Sequence, residues 1–293
     1  MRVQHEVSLK ELRRERKRKR LFARIALAAG IAVALFSGAA VGLRSQYAEL
    51  NHIIVEGVRV LSDEDIRAFA EETLRGKYAG ILPKANIFLF PRRSLRDGIM
   101  KTYPRVSDVA VRAVDMRTIS IKVTEREPAF LWCGEEAPIG ARPPETPCYF
   151  ADANGFIFDR APHFSSDVYF EFYGAPFHPK GEKNIVGSYI LEPSEFRTIV
   201  SFYTKLKELR LRPERFFSRD GAYQIAFSRT DSKSAPRGRL VFEKSESLLG
   251  DTIRNLASAF MLKRTERGGE DILNGIEYVD VRFDNKVLFK FRD

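Results

Sequence analysis

Apolar positions change their rhythm along this chain. From Ile25 to Leu43, 19 consecutive residues carry no charge, which predicts a helix apolar on every side. A bilayer core about 30 Å thick takes roughly 20 such residues at about 1.5 Å of rise each. Farther on the spacing becomes helical. Ile66, Phe69, Ala70, Thr73 and Leu74 share one face behind Ser62, a candidate cap, with Asp63, Glu64 and Asp65 in the first turn, where the helix dipole favours anions. A second helix is predicted from Pro91 to Thr102. The period then falls to two. Val109 and Val111 alternate, as do Ile119, Ile121 and Val123 beyond a turn at Asp115–Arg117, and the β-branched run His52–Glu56 supplies an earlier strand. Residues 50–128 therefore read β-α-α-β-β.

Residues 129–293 read mostly as strand. Asn154-Gly155 between Tyr149-Phe150 and Phe156–Phe158 predicts a tight hairpin in which both turn residues adopt positive φ. The neighbouring Asp152 gives that stretch the look of a calcium loop, but the further oxygen ligands of such a loop are missing. Val168, Phe170 and Phe172 alternate, and so do Tyr223, Ile225 and Phe227, then Val279, Val281 and Phe283. One interrupting helix, capped by Ser194 and running to about Leu209, would bury Phe196, Ile199, Val200, Tyr203 and Leu206. Another would bury Leu249, Ile253, Leu256, Ala257 and Phe260. The predicted class is α+β: one transmembrane helix, a β-α-α-β-β domain, and a mainly antiparallel β domain carrying two helices.

Charge gives the chain a direction. Between Lys10 and Arg24 lie nine cations and two anions. This basic tail, residues 1–24, marks the cytoplasmic side of a helix at 25–43. A cleaved signal peptide would have a shorter apolar region, about 7–15 residues. Residues 44–293 carry 39 cations and 36 anions, so most of the net +10 sits beside the bilayer. There it orients the helix and meets anionic lipid; nucleic acid is not an expected partner. The reading is a single-pass protein of the cell membrane with both domains outside the cytoplasm.

Candidate chemistry is sparse. His5, His52, His163 and His178 have no partner at metal-ligand spacing. No nucleophile elbow, P-loop or zinc-protease pattern occurs. No metal, cofactor or catalytic residue is expected, and the chain reads as a non-enzyme. Cys133 and Cys148, the only cysteines, bracket a Pro-rich stretch. Outside the cytoplasm they form a candidate disulfide; two unrelated thiols are the alternative.

Ile53-Ile-Val-Glu-Gly57, Leu61-Ser-Asp-Glu-Asp-Ile66 and Asn86-Ile-Phe-Leu-Phe90 resemble segments of a POTRA domain, the polypeptide-transport-associated module. So do Pro104–Arg112 and Ile119–Ala129, which are similar to the closing hairpin of the POTRA domain in the FtsQ/DivIB family of bitopic cell-division proteins. The run Ile276-Glu-Tyr-Val-Asp-Val-Arg-Phe-Asp-Asn285 resembles the same family's β domain. The resemblance implies a divisome scaffold at the division septum. Its POTRA domain would meet other divisome proteins, and its β domain would hold FtsB and, through it, FtsL. Partner contacts would fall on Phe283, Asp284, Asn285 and Lys286, and on the strand Val287, Leu288, Phe289, Lys290 and Phe291. A strand at a sheet edge offers unpaired backbone groups for β-augmentation; a plain hairpin over a core strand is the alternative. Readings from other classes are a POTRA-bearing secretion or outer-membrane assembly factor and a membrane-anchored wall hydrolase. The first wants a β-barrel where two amphipathic helices stand, and the second wants a convergent site.

Overall fold

The computed structural model describes residues 9–43, 48–138, 145–164, 168–179, 184–208, 211–219, 221–229, 238–243, 249–266, 276–283 and 286–292. They divide into two units, Met1–Thr102 with Asp108–Glu125, and Tyr103–Ser107 with Arg126–Asp293.

The first unit begins with α1 (Leu9–Leu43), a continuous helix. Ile25, Leu27, Ile31 and Val33 each expose more than half of their surface. Among the described residues no helix is long and apolar enough to cross a membrane. The crossing expected over Ile25–Leu43 is therefore not a structural finding, and the side chains of residues 35–37 and 39–43 lie outside the described set.

Beyond it stand β1 (His52–Glu56), α2 (Asp63–Leu74), the short hairpin β2 (Lys77–Tyr78) and β3 (Leu82–Pro83), α3 (Arg92–Thr102), β4 (Val106–Ala113) and β5 (Thr118–Glu125). The sheet runs β1-β5-β4. β1 lies parallel to β5, with Ile53 opposite Ile119 and Val55 opposite Ile121. Ser62 caps α2 as expected, its Oγ accepting from Glu64 N–H, and Ile66, Ala70 and Leu74 are the stripe that α2 buries. Glu125 carboxylate accepts N–H groups from Arg59, Val60 and Leu61, which pins the loop after β1. Gly57 begins that loop at φ +86, and a Cβ there would meet Val123 O at 2.2 Å. No side chain fits so close a backbone approach.

The second unit is built on one nine-stranded sheet, which holds β6 (Phe130–Trp132), β7 (Cys148–Ala151), β8 (Ile157–Ala161) and β9 (Phe170–Tyr173). After α4 (Pro193–Glu208) it continues with β10 (Leu211–Arg219), β11 (Ala222–Arg229) and β12 (Gly238–Phe242), and after α5 (Leu249–Glu266) with β13 (Ile276–Phe283) and β14 (Lys286–Phe291). The order is β14-β13-β12-β11-β10-β9-β6-β7-β8. Five neighbouring pairs are antiparallel; β6–β9, β9–β10 and β12–β13 are parallel.

Both faces of this sheet are covered in its middle. On one face Phe130, Phe172, Phe196, Phe202, Phe216 and Leu256 belong to a large apolar cluster to which α4 and α5 contribute. On the other, Leu131, Phe150, Phe158 and Tyr173 surround Cys133 and Cys148, which are joined as a disulfide. β9 is buried at all four positions. Its polar members are satisfied within the sheet: Glu171 pairs with Arg215 at 3.3 Å and accepts from Tyr173 Oη at 2.8 Å.

Two local expectations are corrected. α4 is capped by Glu192 rather than Ser194: the Glu192 carboxylate accepts from the Ser194 and Glu195 N–H groups, and its carbonyl from Phe196 N–H. Pro193 then occupies the first helical position, where its missing donor costs nothing. The β7–β8 connection is not a two-residue turn. Only Gly155 has positive φ, at +78, and Asp152 organises the loop by accepting from Asn154 and Phe156 N–H. Arg126 neutralises that buried carboxylate, with its guanidinium 4.2 Å over the Phe156 ring.

Candidate partner-binding edge

β14 closes the nine-stranded sheet at one end. It pairs with β13 on one side, and no strand among the described residues lies on its other side. Its side chains alternate: Val287, Phe289 and Phe291 are half-buried against the large cluster, while Lys286, Leu288 and Lys290 are exposed. Phe289 meets Phe260 of α5 edge-on at 5.3 Å. Next along that helix, Met261 and Leu262 are 71% and 62% exposed, and Leu288 is 48% exposed. The edge thus offers backbone groups together with apolar side chains from a strand and from the helix packed against it, the two ingredients of β-augmentation.

The geometry of this edge is set by β13. Asp280, 5% exposed, accepts Arg282 Nε at 3.0 Å and Nη2 at 2.6 Å, and the Arg282 backbone N–H at 3.1 Å. Burial by itself would raise the Asp280 carboxyl, but the Arg282 side-chain and backbone hydrogen bonds outweigh it and hold the group below the usual carboxylate range. The clamp sits where the register between β13 and β14 shifts, between Asp280 and Phe283. It fixes how the chain leaves β13 for the turn. Lys290 reaches back to Glu277 at 2.9 Å and ties the far end of the hairpin.

Residues 48–126 match the family model described as a POTRA domain, FtsQ-type. This segment is an FtsQ-type POTRA domain. The match supports an FtsQ/DivIB-family protein, and it begins and ends two residues before the segment expected from the sequence. An FtsQ-type domain suggests a cell-division protein that works through protein–protein interactions. No curated protein matches the chain.

Of the residues that the FtsQ resemblance nominates, Phe283 ends β13 and is 50% exposed, and it pairs with Lys286. Asp284 and Asn285 lie outside the described residues. Val287, Leu288, Phe289, Lys290 and Phe291 share the edge strand. Among the described histidines, His52 is exposed on β1, His163 is exposed on a loop and His178 is half-buried on another. Sequence reasoning missed Asp280 and Arg282 as site residues. The available signal was an aspartate two residues before an arginine inside a strand, hence on the same face. It also missed Met261 and Leu262, apolar residues out of phase with the buried stripe of α5.

Proposed function

We propose that this protein is a non-enzymatic, single-pass membrane scaffold of the bacterial division machinery, and that β14 holds an FtsB/FtsL-type partner by adding its strand to the sheet. The single observation that carries the reading is an edge strand with exposed Leu288, packed through Phe289 against a helix that exposes Met261 and Leu262, in a chain that bears an FtsQ-type POTRA domain. The apolar run Ile25–Leu43 within α1 would be the anchor, with the basic tail in the cytoplasm. Exposed Ile25, Leu27, Ile31 and Val33 support that role, since lipid is the environment that removes such side chains from water.

Adjacent strand residues point their N–H groups to opposite edges, so Val287→Pro and Leu288→Pro in the full chain separate ladder from partner. One substitution removes a donor to β13 and the other removes a donor to the partner. The second should weaken capture of the FtsB/FtsL-type partner from the same genome by about tenfold. Unchanged capture by both folded variants would refute the edge. An N-terminal fluorescent fusion reads the wider role: a mid-cell band supports it, and an even halo around the membrane removes it.

A further inference from the structure

We propose that the end of the POTRA domain where the chain enters from α1 rests on the bilayer itself, as a basic surface with apolar tips suited to anionic lipid headgroups. This inference relies on the reading of Ile25–Leu43 as a membrane anchor.

Leu43 and Ala48 are five residues apart, which full extension cannot stretch beyond about 18 Å. The segment that follows is flanked on both sides. Glu49 bridges Asn86, Leu50 N–H donates to Ala85 O and Ile87 N–H to Ala48 O. On the opposite side Asn51 N–H donates to Arg117 O. Two loops are thereby held beside Ala48–Asn51, and both expose apolar side chains. Tyr78, Ile81 and Phe88 are 39%, 53% and 65% exposed on the first, and Val114 and Met116 are 59% and 52% exposed on the second. Their placement is fixed locally: Tyr78 Oη donates to Leu89 O, Ile81 N–H donates to Tyr78 O, and Asn86 Oδ1 accepts from Phe88 N–H. Aromatic and aliphatic tips on a rigid frame fit the headgroup level of a membrane.

Charge names the lipid. From Arg75 to Arg96 the chain carries six cations and no anion. Arg75 pairs with Glu72 and Arg96 with Asp108, which leaves Lys77, Lys84, Arg92 and Arg93 to supply the field of this surface. Lys84 lies 6.0 Å over the Tyr78 ring and Arg92 4.8 Å over the Phe90 ring, so these cations stand among the aromatic residues. The rest of residues 44–293 is close to neutral, so the excess is local.

The test uses the full chain in vesicles containing 30% phosphatidylglycerol or phosphatidylcholine alone. Both native cysteines are in the disulfide, so one introduced cysteine carries an environment-sensitive dye. Labels at Ile81→Cys, Phe88→Cys and Met116→Cys should be quenched by headgroup spin labels in the anionic vesicles. Val60→Cys, exposed at the other end of β1, should not be quenched. Ala29→Cys reads the anchor through acyl-chain quenchers. In K77E/K84E/R92E/R93E the loop quenching should fall, each lost cation weakening contact about fivefold. Loops unquenched while Ala29 is quenched would overturn the contact and leave the anchor standing. If Ala29 is also unquenched, both fall. Equal quenching in the two lipid mixtures would overturn the anionic assignment.

Discussion

Breaking the Cys133–Cys148 bridge should destabilise the second unit by an amount its loop length sets. The two cysteines are separated by 15 residues, and closing a loop of that size removes about 3 kcal/mol of chain entropy from the unfolded state. The native side should hardly object. Both sulfurs are buried, Cys133 at 0% and Cys148 at 1% exposure, among Leu131, Phe150, Phe158 and Tyr173, and a free thiol behaves as a small apolar group in such a place. For a unit of this size 3 kcal/mol corresponds to a fall in Tm of about 6–12 °C. The assay is urea unfolding of the detergent-solubilised chain, with and without reductant, approached from the unfolded side because the bridge is buried. Trp132 is the only tryptophan; it adjoins Cys133 and its indole N–H donates to Gly174 O at 2.9 Å, so its fluorescence reports this unit alone. The midpoint should fall and the slope m should rise, since the reduced unfolded chain exposes more surface. Coincident midpoints in protein shown by thiol count to be reduced would refute the reasoning. A loss with unchanged m would place the effect in the native state instead.

Gly155→Ala should cost about 2–4 kcal/mol, because it forces a left-handed residue to carry a Cβ and drives that atom into a packed ring. The new atom would lie 2.9 Å from Phe196, which is fully buried; the urea midpoint read at Trp132 measures it, and an unchanged midpoint would contradict the packing described. Asp280 should make the β13–β14 hairpin acid-sensitive. Its folded pKa lies below the ordinary value, so its contribution is complete above the unfolded pKa and is lost as pH falls through the folded one. Asp280→Asn should remove that part of the stability–pH slope below about pH 4 and leave the neutral limb parallel; an identical acid limb would show that the clamp is not the responsive group.

What could be read from the sequence was whatever local chemistry decides. Ser62 and the stripe Ile66, Ala70 and Leu74 were legible because a cap and a 3.6-residue period need no tertiary information. β9 was not legible as a strand buried on both faces: Phe170 and Phe172 alternate with Glu171 and Tyr173, and only the sheet order reveals that Arg215 pairs with the intervening glutamate. The cap of α4 was misread because Ser194 is the stronger residue type, whereas Pro193 fixes the helix start two positions earlier and leaves Glu192 as the flanking acceptor. The loop at Asn154-Gly155 was assigned a turn from its two tip residues, while the buried carboxylate of Asp152, held by Arg126, decides its shape. At the candidate edge the strand itself was visible. The Asp280–Arg282 clamp and the outward Met261 and Leu262 needed the register of β13 and the docking of α5.

The three parallel joins in the second unit have a kinetic meaning. β6–β7–β8, β10–β11–β12 and β13–β14 are antiparallel runs whose strands are close in sequence, and each can zip up locally within microseconds. The parallel joins β6–β9, β9–β10 and β12–β13 come later, because β9 is separated from β6 by more than 35 residues and α4 or α5 intervenes at the other two. Loop closure must be met before such pairs gain anything, so these seams should set the folding rate. Until they close, each antiparallel run exposes phenylalanines meant for the shared core, together with an unpaired strand rim. A newly made chain should therefore pass through a sticky, chaperone-dependent interval that ends only when four-residue β9 is seated between its neighbours.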